Sequence, residues 1–275
     1  MKQTHKLYAL LLLLSLCIAT PAMASGLNGF KDHSGTIAIA GGTAHIPVMK
    51  AAAKRIMTAN PNIRITIAGG GSGVGIQKVG EGLVNIGNAG RAASSDEVAK
   101  YNLVSYPFAI DGVATVLSSQ NSVNALTSAQ VRDIFSGKIT NWKEVGGHDA
   151  AIHIYTRDEA SGTRSVYWKK LLKKGKIVDS ANVVASNGAM KTTIARDPDG
   201  IGFISIGTLD ETVKAPALDG IEVSQETAKN GTYKIVRKLY MNTKGQPSGI
   251  VKSFIDYILS AECTDIIKAK GYLPL

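Results

Sequence analysis

From Gly35 to Asn88 the chain repeats one local order: a short β-branched run, a glycine-rich turn, then a helical stretch. Residues 36–40 read as a strand, Gly41-Gly42-Thr43 as a turn, and 47–59 as a helix opened by Pro47 and stopped before Asn60-Pro61. Strand 63–68 then enters GGGSGVG (residues 69–75), a short helix reaches Glu81, and 84–88 is extended again. This alternation argues for an α/β fold with parallel strands. It also says where a ligand goes, because open α/β sheets bind at the carboxyl ends of their strands, where each glycine-rich turn falls.

Farther on, LVSYPFAIDGVATVLS (103–118) reads as two extended segments around Asp111-Gly112 with no helix between them, as expected where a chain leaves one lobe for another. Thr127 and Gln130 form a T-x-x-Q capping box that opens a helix through Phe135. A loop, SGKITNWKEVGG, precedes a strand, a tight turn and a helix over 163–174, and a further unit spans 183–205 with Asp199-Gly200 as its turn. TYKIVRKLYMN (232–242) is extended and serves as the return crossing, after which helices over 248–259 and 261–270 pack on the first lobe. The expectation is a two-lobed α/β protein, each lobe a central sheet flanked by helices, joined by two crossing segments. Residues 25–111 with 238–275 form lobe one, and 112–237 form lobe two.

The amino terminus has the layout of a secretory signal: Lys2 and Lys6, an apolar run over 7–19, Pro21, then Ala22-Met23-Ala24 with cleavage after Ala24. The 13 apolar residues are fewer than the roughly 20 needed to span a bilayer, so the mature protein is expected to be soluble and periplasmic. Leu16 before Cys17 does not suit lipid attachment, which wants a small residue there. Loss of 24 residues leaves 251 of 275, and loss of Lys2 and Lys6 takes the net charge from +10 to +8. The lysines are scattered apart from pairs such as Lys169-Lys170 and Lys173-Lys174, without a basic stripe interleaved with aromatics, which argues against nucleic acid. Cys263 alone survives in the mature chain, so no internal disulfide forms and its expected role is packing.

The chemistry concentrates in AIHIYTRDEASGTRSVYWKKLLKK. Arg157 ends a strand, and Ser161-Gly162-Thr163 opens the next helix. A helix start offers free N–H groups and a positive dipole end, and arginine adds a planar fork that grips two oxygens. The stretch reads as an oxyanion trap, with helix capping by Ser161 through Thr163 or Arg164 as the plain alternative. In the earlier glycine turn, Ser72 and the amides around it, Gly73 among them, can face a compact anion, or the turn can be only a turn. No Gly-Lys-Ser/Thr phosphate loop follows these glycines, and the dinucleotide pattern fails because Ile76 or Lys78 stands where its third glycine belongs. His33, His45, His148 and His153 have no helical metal spacing. Asp158 and Glu159 flank the arginine and are expected to orient it, not to catalyse. Ser161 lacks the G-x-S-x-G elbow, since Glu159 stands at its first glycine. Neither a catalytic residue nor a cofactor is implied.

Taken together, GGTAHIPVMKAAA, GGGSGVGIQKVGEGLVNIGNAGR, AQVRDIFSGKITNWKEVGG, R-x-x-x-SGT, SNGAMKTTIARDPDGIGFIS and SAECTDIIKAKGYLPL resemble, in order and spacing, the phosphate-binding solute receptors of bacterial ABC importers. The resemblance covers nearly the whole mature chain. It implies the two-lobed (type II-like) periplasmic binding-protein fold, inorganic phosphate between the lobes, a membrane permease as partner, and a monomer. It also implies ligand contacts from Thr43, the Ala44 amide and Ser72 in lobe one, and from Arg157, Ser161, Gly162 and Thr163 in lobe two. Two departures stand out. Many relatives read Ser-Thr-Thr where this chain has Gly42-Thr43-Ala44, and Ser-Ser-Arg or an Asp where it has Ala89-Gly90-Arg91. An acid there would accept the proton of phosphate and repel sulfate, so sulfate or another tetrahedral oxyanion remains an alternative ligand. Arg91 either adds a second positive charge to the site or pairs with Asp96. An exported signalling or adhesion module, or a phosphoester hydrolase, are the readings from other classes.

Overall fold

The computed structural model describes residues 26–275, and the signal sequence read over 1–24 lies outside them. After a 3-10 turn (Gly26–Phe30) come β1 (Gly35–Gly41), α1 (Ile46–Ala59), β2 (Ile63–Gly70), α2 (Gly71–Gly80), β3 (Ile86–Ala89) and α3 (Ser95–Tyr101). The chain continues through β4 (Leu103–Ser118), β5 (Ala125–Leu126), α4 (Ser128–Ser136), β6 (His153–Thr156), α5 (Gly162–Lys170), β7 (Asn182–Val183), α6 (Asn187–Arg196) and β8 (Gly200–Ser205). It ends with β9 (Val213–Lys214), β10 (Ala217–Leu218), α7 (Gln225–Lys229), β11 (Val236–Lys244), α8 (Gly249–Leu259), α9 (Thr264–Ala269) and β12 (Leu273–Pro274).

Strand order across the main sheet is β2-β1-β3-β11-β4-β8-β6-β7. β1 lies parallel to β2 and β3, as crossover helices require, whereas β11 runs antiparallel to β3 and β4. One apolar cluster gathers Ile37, Val48, Ile56, Phe108, Leu239, Phe254 and Tyr257; a second gathers Val113, Phe135, Trp142, Tyr167, Phe203 and Ile235. Cys263 is buried in the first. Membership switches between Ala109 and Val113 on β4 and between Val236 and Leu239 on β11, so these two strands are the bridges between cores.

Two sequence expectations change. Residues 103–118 form one unbroken strand, because Asp111 and Gly112 are held in register by Arg237 and Val236 of β11. The helix after the tight turn stops at Lys170, and Lys173 and Lys174 adopt positive φ of 51° and 61°. The T-x-x-Q box forms as read: the Thr127 side chain accepts from the Gln130 amide and Gln130 reaches back to the Thr127 amide.

Candidate anion site

β1, β2 and β3 all end on the same edge of the sheet, and there the starts of α2 and α5 meet. A small chamber lies between them, lined by Gly42, Thr43, Ala44, His45, Gly71, Ser72, Gly90, Arg157, Ser161, Gly162, Thr163 and Arg237. Only a compact ligand fits. No Asp or Glu is among the lining residues.

Each hydroxyl in the lining is loaded the same way. Ser72 Oγ accepts from the Gly90 amide (2.8 Å), Ser161 Oγ from the Arg164 amide (3.2 Å), Thr43 Oγ1 from Asn187 N (3.2 Å) and Nδ2 (3.0 Å), and Thr163 Oγ1 from Arg237 Nη1 (3.0 Å). A hydroxyl has one hydrogen and two lone pairs. Thr43 accepts twice, as does Thr163 with Asn187 Nδ2 at 3.4 Å, so these two hydroxyls have only their hydrogens left, whereas Ser72 and Ser161 each keep a hydrogen and one lone pair.

The Arg157 guanidinium is 2% exposed, and Nη2 donates to the Ala185 carbonyl at 2.9 Å while Nε and Nη1 have no partner. Burial lowers its pKa to about 10; the Asp158 charge opposes that shift and the Arg237 charge adds to it. The group is still a cation at neutral pH. Asp158 and Glu159 are exposed, and Glu159 stands 4.0 Å from Arg164, so neither orients Arg157 as the sequence suggested; the Ala185 carbonyl does. Ser161 caps α5 through Arg164 and lines the chamber as well, so the two sequence readings of this residue coexist.

Two sequence candidates stand outside the chamber. The Gly73 amide donates to the Ala160 carbonyl at 2.9 Å, a bond that ties the start of α2 to the turn before α5. Arg91, read as a ligand contact or as a partner of Asp96, instead forms a bidentate pair with Glu97, both contacts 2.7 Å, because the Ser94–Glu97 capping box of α3 turns Glu97 back toward it. Thr43, Ala44, Ser72, Arg157, Ser161, Gly162 and Thr163 do line the chamber.

The PBP superfamily domain matches residues 31–262. The phosphate-binding protein PstS of Bacillus subtilis is 34% identical over 251 residues, covering 90% of this chain and 83% of its own. A phosphate ABC transporter substrate-binding protein from Clostridium perfringens, solved with bound phosphate, superposes with a TM-score of 0.83 at 34% identity over 88% of this chain and 100% of that one. The chain belongs to the PstS-like phosphate-binding proteins of this superfamily. An ABC-type phosphate transport receptor from Vibrio cholerae is also similar, at 31% identity and a TM-score of 0.69, over 86% of this chain and 99% of that one.

Three residues at the site of this PstS-like chain were given no ligand role in the sequence, although Asn187 and His45 lie within the stretches that carry the resemblance. Asn187, at the start of α6, is fully buried and donates to both Thr43 (3.0 Å) and Thr163 (3.4 Å), joining hydroxyls from the two sides of the chamber. Arg237 arrives from the start of β11 and pairs with buried Asp111 on β4 at 2.8 Å. Burial raises the Asp111 carboxyl, while the Arg237 guanidinium and the Ser205 hydroxyl work to lower it. His45 is completely buried with both ring nitrogens unpartnered; burial, then the Arg237 charge, push it down from 6.5 to about 3, so it is neutral. Only the folded topology brings these three to one point.

Proposed function

We propose that this chain captures inorganic phosphate in the chamber and delivers it to the permease of an ABC importer. The observation that carries this reading is Arg157: a buried guanidinium with no carboxylate partner and with Nε and Nη1 unspent, in a chamber lined by hydroxyls that have hydrogens to donate. Buried donors without partners are costly, and a tetrahedral oxyanion supplies the acceptors they lack. Taking such an ion out of water costs several kcal/mol, so its hydration shell must be replaced from all sides. Thr43, the Ala44 amide and Ser72 act from one side, and Arg157, Ser161, Gly162 and Thr163 from the other.

The switch of apolar clusters along β4 and β11 supports hinges near residues 111–112 and 237–238, with 25–111 plus 238–275 as one lobe and 112–237 as the other. Phosphate binds the closed form best because only closure brings both sets of donors together, and it shifts the population accordingly. The protein is a binding protein and not an enzyme. It acts as a monomer in the periplasm after cleavage behind Ala24. Among the described residues no helix is long and apolar enough to cross a membrane.

Calorimetric titration of the mature protein with phosphate tests the reading. Micromolar binding, about 8 kcal/mol, is expected. Arg157→Ala should weaken it at least about tenfold, the equivalent of about 1.4 kcal/mol, with the melting transition still cooperative. Unchanged affinity in this variant rejects the site.

A further inference from the structure

Asn187 is the first residue of α6, fully buried behind the chamber wall and not among the residues that line it. Ser205 settles which way its amide faces. The Ser205 backbone N–H donates to Asn187 Oδ1 at 3.0 Å, and a peptide N–H meets only an acceptor, so the NH2 end lies on the other side. Its two hydrogens reach Thr43 Oγ1 at 3.0 Å and Thr163 Oγ1 at 3.4 Å. Each hydroxyl receives a second donor: the Asn187 backbone amide at 3.2 Å for Thr43, and Arg237 Nη1 at 3.0 Å for Thr163. Arg237 is itself held by Asp111, with Nε 2.9 Å from Oδ2. Thr43 thus takes both of its donors from one residue, and Thr163 takes one from each of two. Among the described residues neither hydroxyl donates to a protein atom. Each has one hydrogen left, and both threonines line the chamber.

We propose that Asn187 is a positioning residue that fixes both threonines as hydrogen-bond donors to the bound anion, and that for Thr43 it does so only when the lobes close. A hydroxyl gives or accepts with equal ease until its lone pairs are taken, and a donor fixed in advance spares the ordering cost of binding. Thr163 shares lobe two with Asn187 and is polarised whether the lobes are open or closed. Thr43 belongs to lobe one, so in the open protein its hydroxyl turns freely in water. Closure brings Asn187 onto it, fills both lone pairs and commits its hydrogen to the ligand. Closing the cleft therefore makes a donor as well as gathering the others. The proposal rests on the phosphate reading and on the lobe division above.

The test is a double-mutant cycle read by calorimetric titration of the mature chain with inorganic phosphate. Thr43→Val keeps the shape of the side chain without its hydroxyl and should weaken binding about tenfold, the worth of one hydrogen bond to a charged group. Asn187→Asp keeps the oxygen that Ser205 needs but turns the NH2 donor into an acceptor, so the threonine hydrogens swing onto it. Phosphate should then bind at least about tenfold more weakly. Adding Thr43→Val to that variant should cost less than about twofold, because the Thr43 hydrogen has already left the ligand. Asn187→Ala removes the donor without adding a charge, and it keeps the test open if the buried carboxylate prevents folding. It should weaken binding severalfold and cut the cost of Thr43→Val to below about threefold. A residue that merely supports the fold would leave the cost of Thr43→Val unchanged. Additive losses in the alanine background, or wild-type affinity in both Asn187 variants, overturn this proposal and leave the phosphate reading intact. Failure of the wild type to bind phosphate overturns both.

Discussion

His45 joins burial, charge and pH in a single side chain. Its ring packs 5.6 Å from that of Phe108, centroid to centroid, and neither nitrogen has a hydrogen-bond partner. In the unfolded chain this imidazole takes a proton near 6.5; in the folded chain it resists until about 3. Between those values the unfolded state binds more protons, so this residue costs stability as pH falls from about 6.5 toward 3 and has no effect above that window. The slope reaches about 1.4 kcal/mol per pH unit. Urea unfolding at several pH values should show His45→Leu losing stability in acid less steeply than wild type, with the two profiles parallel above pH ~7. Parallel profiles throughout would mean that the ring titrates normally when folded.

At the scale of elements, the start of α5 shows what a sequence can and cannot say. Strand, turn, helix and cap were all legible in TRDEASGTRSVYW, because capping and the glycine turn are local. Whether Ser161 served the helix or a ligand was not, since that depends on what lies opposite. The structure sets its hydroxyl against the helix amide of Arg164 and in the chamber wall at once. Ser161→Ala should therefore have two separable effects. Without phosphate it should lower stability by about 1 kcal/mol through loss of the cap. Phosphate affinity should fall by a further factor of about ten, the worth of a hydrogen bond to a charged group. Melting without ligand and titration with it measure the two, and a stability loss with intact affinity would assign Ser161 to the helix alone. Arg237 was illegible for the opposite reason: in KIVRKLY it reads as one cation among several on a strand, and 74 residues separate it from the Thr163 hydroxyl it grips. The long strand 103–118 was split in the reading because Asp-Gly is a turn signal that pairing along β11 overrides.

For the whole molecule the question is how far the two sides must approach for the site to exist. Asn187 bonds Thr43 across the gap, the Gly73 amide reaches Ala160, and Gly162 sits so near Ser72 that a Cβ on residue 162 would lie 2.1 Å from Ser72 Oγ. Ser72 cannot yield cheaply, for its Cβ would be 3.1 Å from the added carbon and its hydroxyl holds the Gly90 amide. The atoms it would strike belong to the opposite side of the chamber, so adding one methyl group at residue 162 spares the folding of its own side and obstructs only the approach of the two. Gly162→Ala is thus expected to melt like wild type without phosphate. Its affinity should fall at least about tenfold, because apparent binding scales with the fraction of molecules able to close. Small-angle scattering in saturating phosphate should leave the variant with the larger radius of gyration. A variant that contracts and binds like wild type would show that the chamber can form without this close contact.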